Sequence, residues 1–278
     1  MPTRRLMTKG LHNARDLGGF PTRDGGTTRF GVFVRSEAPV GLPAEDIDYL
    51  RAYGITASMD FRSRGEMEAR PSDLAELMPY YPRPLFHEAA IVGGKKPPMP
   101  QKLSWGEQYI TMAEDSRDWA LDVLEIAANC PGALLYHCTT GKDRTGLMTC
   151  YLLSIAGVAR EDIAADYCVS QVYLEPVYQK IREGKMHLGP KLEKEGGMEG
   201  PKMDESFFQT PASAMLTLID YLTERYGGPV EYLRTIGLPE HIIAALRTKL
   251  VEQPGKRIKR PDRTGNMSQV RSGVFVLN

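Results

Sequence analysis

The sequence predicts an α/β fold in which a small, mostly parallel central sheet is flanked by helices and the C-terminal half is mainly helical. Three observations carry that prediction. Short apolar runs alternate with segments of helical period through the first half of the chain. The run Ala133-Leu134-Leu135-Tyr136 enters a polar, Gly-containing bend and leaves it as Leu147-Met148-Thr149-Cys150-Tyr151-Leu152-Leu153, which reads as strand, anion-binding turn, helix. From residue 160 to residue 251 most periodic segments have helical spacing.

Taken in order, Phe30-Gly31-Val32-Phe33-Val34 reads as a strand, and Pro43 to Tyr53 as a helix with Pro at its start and Gly54 as its stop. Ile55-Thr56-Ala57-Ser58-Met59 is a second strand, and Tyr80 to Phe86 a weaker, edge-like one broken by prolines. Arg117 to Asn129 is a helix with Trp119, Val123, Leu124 and Ala127 on one face. Helices follow over Arg160 to Ser170, Val172 to Arg182, Pro211 to Tyr226, Pro229 to Ile236 and Pro239 to Val251. Val92 to Ser104 and Gly184 to Glu205, rich in Gly and charge, read as exposed loops. Residues 1–252 are expected to form one domain, and residues 253–278 a tail with six basic residues against one acid, read as a flexible terminus.

The bend itself, His137-Cys138-Thr139-Thr140-Gly141-Lys142-Asp143-Arg144-Thr145-Gly146, carries the chemistry. A thiol at a helix N-terminus beside an arginine is favoured as thiolate, the nucleophilic form. Arg144, six positions after Cys138, can curl back and offer a planar fork to two oxygens of a phosphate. The amides from Thr139 to Arg144 can line the remaining oxygens as a backbone nest. Thr145 can donate to the cysteine sulfur as it leaves. Together these parts describe nucleophilic attack with electrostatic stabilisation of a transferring phosphoryl group, and require no metal or cofactor. A nucleotide P-loop is excluded, because Asp143 follows Gly141-Lys142 and Tyr136 stands where glycine is needed. A sulfurtransferase and a non-catalytic phospho-ligand module are the rival classes.

The segment HCTTGKDRTG resembles the active-site loop of the cysteine-dependent tyrosine phosphatases, and its Lys-Asp pair resembles the bacterial atypical branch that acts on phosphotyrosine and phosphoinositides. Asn13-Ala14-Arg15-Asp16-Leu17-Gly18-Gly19, Arg35-Ser36-Glu37, Asp60-Phe61-Arg62-Ser63-Arg64-Gly65-Glu66, Ala165-Asp166-Tyr167 and the Gly-Leu-Pro of residues 237 to 239 also stand at family-like places, so the resemblance covers roughly residues 10 to 252. It implies a tyrosine-phosphatase-like fold, a phosphocysteine intermediate, and a phosphotyrosyl protein or a phosphoinositide as substrate. Phosphate or sulfate would sit in the loop. It further implies His137, Thr139, Thr140, Gly141, Lys142, Gly146 and Arg62 around the substrate, with Lys142 reaching an extra phosphate or standing solvated at the rim. The branch often carries a helical lid, expected here over residues 172–208.

The resemblance also leaves a gap. The usual phosphatase acid lies in a Trp-Pro-Asp loop, and no such sequence occurs here. Asp143, inside the loop, and Asp60, at the end of the neighbouring strand, are the two candidates, with Asp143 preferred for its position. Asp60 has an alternative as a cap or a partner of Arg62 or Arg15. Arg62 and Arg64 either line the entrance or pair with Glu66.

Composition bounds the rest. The 278 residues hold 35 Lys plus Arg against 35 Asp plus Glu, so the chain as a whole has no attraction for nucleic acid. Its four cysteines show neither disulfide-framework nor zinc spacing. No stretch is long and apolar enough for a membrane span, no signal peptide is visible, and a cytoplasmic enzyme is expected, with signal-less secretion as the alternative.

Overall fold

A computed structural model describes residues 3–85, 103–183 and 208–252. Its elements in chain order are β1 (Arg15–Asp16), β2 (Thr27–Thr28), β3 (Phe33–Ser36), α1 (Ala44–Tyr53), β4 (Ile55–Asp60), α2 (Arg64–Ala69), β5 (Tyr80–Pro82), α3 (Trp105–Asp115), α4 (Arg117–Asn129), β6 (Ala133–His137), α5 (Asp143–Ala156), α6 (Arg160–Tyr173), α7 (Glu175–Arg182), α8 (Ala212–Tyr226), α9 (Pro229–Thr235), α10 (Glu240–Leu250) and β7 (Val251–Glu252). The main sheet has the order β1-β3-β6-β4-β5. Only the β1–β3 pair is antiparallel; β3, β6, β4 and β5 run parallel. The expected mostly parallel α/β architecture is the one observed.

Strand β6 shows why the sheet is covered on both faces. Ala133 and Leu135 pack with Val34, Leu50 and Ile55 on one side, while Leu134 and Tyr136 pack with Phe33, Met59 and the helices on the other. The two-residue period of a strand sends neighbours to opposite cores, so an unbroken apolar run is what a doubly buried strand requires. Helix α5 then buries eleven of its fourteen residues, Thr145 through Leu153 among them. It is the central helix under the loop.

Strand boundaries differ from expectation where polar residues are buried. Strand β3 runs Phe33–Ser36 rather than beginning at Phe30, because Gly31 takes φ +72. Strand β4 extends through Asp60. The segment expected as edge strand contributes only Tyr80–Pro82, paired to Ser58, Met59 and Asp60. Two helices, α2 and α3, were not expected. The lid expected over residues 172–208 is represented by α7 and Phe208; residues 184–207 lie outside the described part, as do 86–102 and the tail from 253. Among the described residues no helix is long and apolar enough to cross a membrane.

Candidate active site

Register positions the site. Ser36, His137 and Asp60 stand side by side at the carboxyl ends of β3, β6 and β4. The chain following each strand therefore opens onto one crevice, where ligands of parallel sheets sit. Cys138 follows β6 directly and is 2% exposed.

The bend from Cys138 to Asp143 is held from outside by its carbonyls. The Ala38 amide donates to the Thr139 carbonyl at 3.2 Å, and the Asn13 side chain donates to the carbonyls of Thr140 (3.0 Å) and Gly141 (3.2 Å). Arg35 donates to Gly141 O at 2.8 Å and to Lys142 O at 3.4 Å. All peptides here are trans, and in a trans peptide the N–H points opposite to the preceding C=O. Tying consecutive carbonyls to the framework therefore turns the amides of Thr140, Gly141, Lys142 and Asp143 to the other side, into the bend. Gly141 is obligatory twice over. Its φ is +68, and a Cβ there would lie 2.3 Å from the Ser36 carbonyl oxygen.

Asn13 and Arg35, which grip the bend, are themselves held by Arg15 and by Asp166 of α6. Arg15 donates to the Asn13 carbonyl (2.9 Å) and side-chain oxygen (2.6 Å), to Asp166 Oδ1 at 3.0 Å, and to Ser170 Oγ at 2.9 Å. Arg35 reaches Asp166 Oδ2 at 2.7 Å and Arg4 reaches Oδ1 at 2.9 Å. Burial opposes the charge on Asp166, but the guanidiniums of Arg15 and Arg35 hold its carboxyl well below the usual carboxylate range. Glu37 accepts the amides of His12 and Asn13, and its burial pushes the carboxyl up to about 7 despite those bonds.

Arg144 is braced by Glu66. Its two terminal nitrogens donate to the two carboxylate oxygens at 2.7 and 2.9 Å, a bidentate pair, and also to Phe61 O (3.2 Å) and Thr139 Oγ1 (3.2 Å), so the fork expected to face two phosphate oxygens is turned to Glu66, Phe61 and Thr139, and none of these bonds uses Nε. The Thr139 hydroxyl donates to Glu66 as well. Burial raises the Glu66 carboxyl, and the Arg144 bonds and charge overcome it, leaving it at about 2. For Arg144 burial disfavours the cation, whereas Glu66, Cys138 and Asp143 together raise its proton affinity above that of an ordinary arginine. The guanidinium therefore lies within electrostatic reach of the Cys138 sulfur.

Asp143 and Asp60 have different surroundings. Asp143 keeps a quarter of its side chain exposed and accepts from the Tyr109 hydroxyl at 2.6 Å. It borders a cavity of about 540 Å³ walled by Trp105, Tyr109, Met112, Glu66 and Arg144. Asp60 has no exposed side chain. It receives Arg62 Nη2 at 2.7 Å and the Tyr80 hydroxyl at 2.6 Å, and lies 3.6 Å from His137 Nδ1. Burial raises its carboxyl, and His137 and Arg62 more than offset this, holding it at about 2.

Several expected positions need correction. Lys142 is not at the rim: it is fully buried, with Nζ 4.5 Å from the Trp105 ring, 3.4 Å from the Gln209 carbonyl and 3.8 Å from Asp143 Oδ2. Arg62, 2% exposed, is committed to Asp60 and to the Arg70 carbonyl rather than to the entrance or to Glu66. His137 is fully buried, and burial lowers its pKa. Its Nδ1 lies 3.3 Å from the Cys138 carbonyl and faces Asp60, two acceptors, so that nitrogen carries the hydrogen. Gly146 donates its N–H to Lys142 O at 2.8 Å within the first turn of α5, which removes that amide from the nest. Among the described residues the buried Thr145 hydroxyl has no hydrogen-bond partner, the Cys138 sulfur included.

Asn13, Arg35, Tyr109 and Tyr178 are site residues to which sequence reasoning assigned no role, and Glu66, expected as a partner of Arg62 or Arg64, pairs with Arg144 instead. Tyr178, buried on α7, has no hydrogen-bond partner for its hydroxyl among the described residues, and its burial and the charge of Asp143 raise the pKa of the phenol. A signal for Glu66 existed: Ser63-Arg64-Gly65-Glu66 is a capping box, with Ser63 N bonded to Glu66 Oε2 at 2.8 Å and Glu66 N to Ser63 Oγ at 3.2 Å.

A thiol, a braced guanidinium and inward amides meet on one bend at the mouth of a parallel-sheet crevice, an arrangement suited to an oxyanion. The chain belongs to the tyrosine phosphatase family, whose model matches residues 6–252. It is 30% identical over 226 residues to a tyrosine-protein phosphatase of Nostoc commune, covering 79% of this chain and 74% of the relative. A protein of Cupriavidus necator that also carries a tyrosine-protein phosphatase name is 31% identical over 166 residues, covering 58% of this chain and 60% of the relative.

Proposed function

We propose that this phosphatase hydrolyses phosphotyrosyl residues of proteins through a phosphocysteine intermediate, with Cys138 as nucleophile, Arg144 and the loop amides as the phosphate cradle, and Asp143 as the acid. The Cys138 thiolate attacks phosphorus in line; the sulfur–phosphorus bond forms as the bond to the leaving oxygen breaks. Asp143 gives its proton to that oxygen, which departs as the tyrosine phenol. Water then attacks phosphorus, Asp143 accepts its proton, and the sulfur–phosphorus bond breaks to return thiolate and inorganic phosphate. The Thr145 hydroxyl, without a partner among the described residues, supplies a hydrogen bond to the departing sulfur.

The observation that carries this reading is the outward tethering of consecutive loop carbonyls beside an Arg144 guanidinium fixed in place by Glu66. Asp143 is favoured over Asp60 because an acid must hold a proton and meet the leaving group. Asp60 is buried and its carboxylate is held ionised by Arg62, whereas Asp143 faces the open cavity. The aromatic walls of that cavity suit a phenyl ring, and the burial of Lys142 takes from the rim the cation that a polyphosphorylated inositol ring would use.

Cys138→Ser is expected to abolish turnover of an aryl phosphate while phosphate binding, followed by calorimetry, is retained. Undiminished turnover would reject the mechanism. Parallel rates on a phosphotyrosyl peptide and a set of phosphoinositides test the substrate, with the peptide expected to lead.

A further inference from the structure

Helix α3 touches the catalytic loop with two side chains one turn apart. Trp105 stacks under the Lys142 ammonium at 4.5 Å, and Tyr109 donates to Asp143 Oδ1 at 2.6 Å. Residues separated by four positions lie on one helix face, so a single helix edge addresses the consecutive loop residues 142 and 143. Tyr109 is 1% exposed, and its ring is fixed edge-on against Tyr167 at 5.6 Å. Its burial, together with the charge of Asp143, keeps the phenol protonated well beyond neutral pH, so it has an O–H to donate to Asp143.

The carbonyl oxygen of a carboxylic acid is its better acceptor, so a donor held on one oxygen favours the proton on the other; in Asp143 that other oxygen, Oδ2, lies 3.8 Å from the Lys142 ammonium. We propose that Tyr109 is a positioning residue for the general acid: by holding Asp143 Oδ1, it makes Oδ2 the oxygen that delivers the proton to the leaving group and recovers one from water. This rests on the reading of Asp143 as acid. The bond fixes the carboxyl plane relative to the cavity that α3 itself walls, so one helix shapes the space for the leaving group and aims the proton at it.

Leaving-group dependence separates this role from simple support of the fold. A phenol of ordinary acidity needs the proton, while a dinitrophenol departs without it. In Tyr109→Phe, which keeps the packed ring, kcat/KM for a phosphotyrosyl peptide is expected to fall about tenfold and that for dinitrophenyl phosphate to stay near the starting value. Asp143→Asn is expected to show the same pattern more strongly, and adding Tyr109→Phe to it should cost nothing further, since the two act through one proton. Equal loss on both substrates, no loss on either, or additive loss in the double variant would overturn the positioning role. The mechanism itself stands or falls separately, on whether Cys138→Ser is inactive.

Discussion

At the scale of single residues, the decisive side chain is Glu66 rather than any member of the loop. An arginine that must grip a dianion has many rotamers, and ordering it on binding costs affinity. Glu66 removes that cost beforehand by holding both terminal nitrogens, while its own backbone and side chain close the capping box of α2. Glutamine can keep the capping box but offers only one neutral acceptor to the guanidinium. Glu66→Gln is therefore expected to leave the thermal midpoint within a few degrees while kcat/KM falls about ten- to 100-fold, because a small misplacement of a catalytic group is costly. A variant whose midpoint collapses together with its activity would show that Glu66 serves the fold instead.

At the scale of elements, the loop is a bend whose outer side is tied to β3 and the N-terminal segment, which are themselves held by α6. Gly141→Ala tests that construction. The added Cβ meets the Ser36 carbonyl at 2.3 Å in a backbone region that L residues resist, so strand and loop must part. Phosphate affinity, measured by calorimetry on the Cys138→Ser background, is expected to drop at least tenfold, with about 1–3 kcal/mol of stability lost in chemical denaturation. Retained affinity would mean that the amides are not organised by this bend.

The loop and the helices with strong periods were legible in the sequence because local chemistry sets them. Helix α4 was read at Arg117–Asn129, the bounds it has, from the spacing of Trp119, Val123, Leu124 and Ala127. Helices α2 and α3 were not: α2 buries no residue, and the buried face of α3, Gly106, Tyr109 and Ala113, holds no large aliphatic side chain to mark the period. Both nevertheless begin with Ser-x-Gly-Glu capping boxes, at Ser63 and Ser104, which a reading by apolar period passes over. What the sequence could not reveal is which charges meet. Arg15 and Asp166 are 151 positions apart, and Arg144 and Glu66 are 78 apart, so only the folded sheet brings them together. The same holds for Lys142, whose burial depends on Trp105 arriving from another helix.

At the scale of the whole molecule, the buried charges that shape the loop also set its response to acid. Asp166 has no exposed side chain and joins Arg4, Arg15 and Arg35, tying the N-terminal segment and β3 to α6. Removing its charge strands two guanidiniums that are 1% exposed, and breaking such a group costs about 3–5 kcal/mol, a large share of the ~5–15 kcal/mol of a typical domain. Asp166→Asn should thus lower the denaturation midpoint markedly at neutral pH. The pH dependence follows from the direction of each shift. Asp166, together with Asp60 and Glu66 at about 2, has a folded pKa depressed below its ordinary value. Such groups contribute stability above pH ~4.5 that is lost as pH falls through the ordinary carboxylate range toward 2. Glu37 runs the other way: raised to about 7 by burial, it contributes stability that is full below ~4.5 and is lost as pH rises through 7. Denaturation midpoints of the intact chain measured from pH 2 to 8 should therefore peak near pH ~4.5–5 and decline toward 7, with the acid limb shallower in Asp166→Asn because one titrating group is gone. An acid limb of unchanged slope in that variant would show that the three-arginine cluster does not couple folding to protonation.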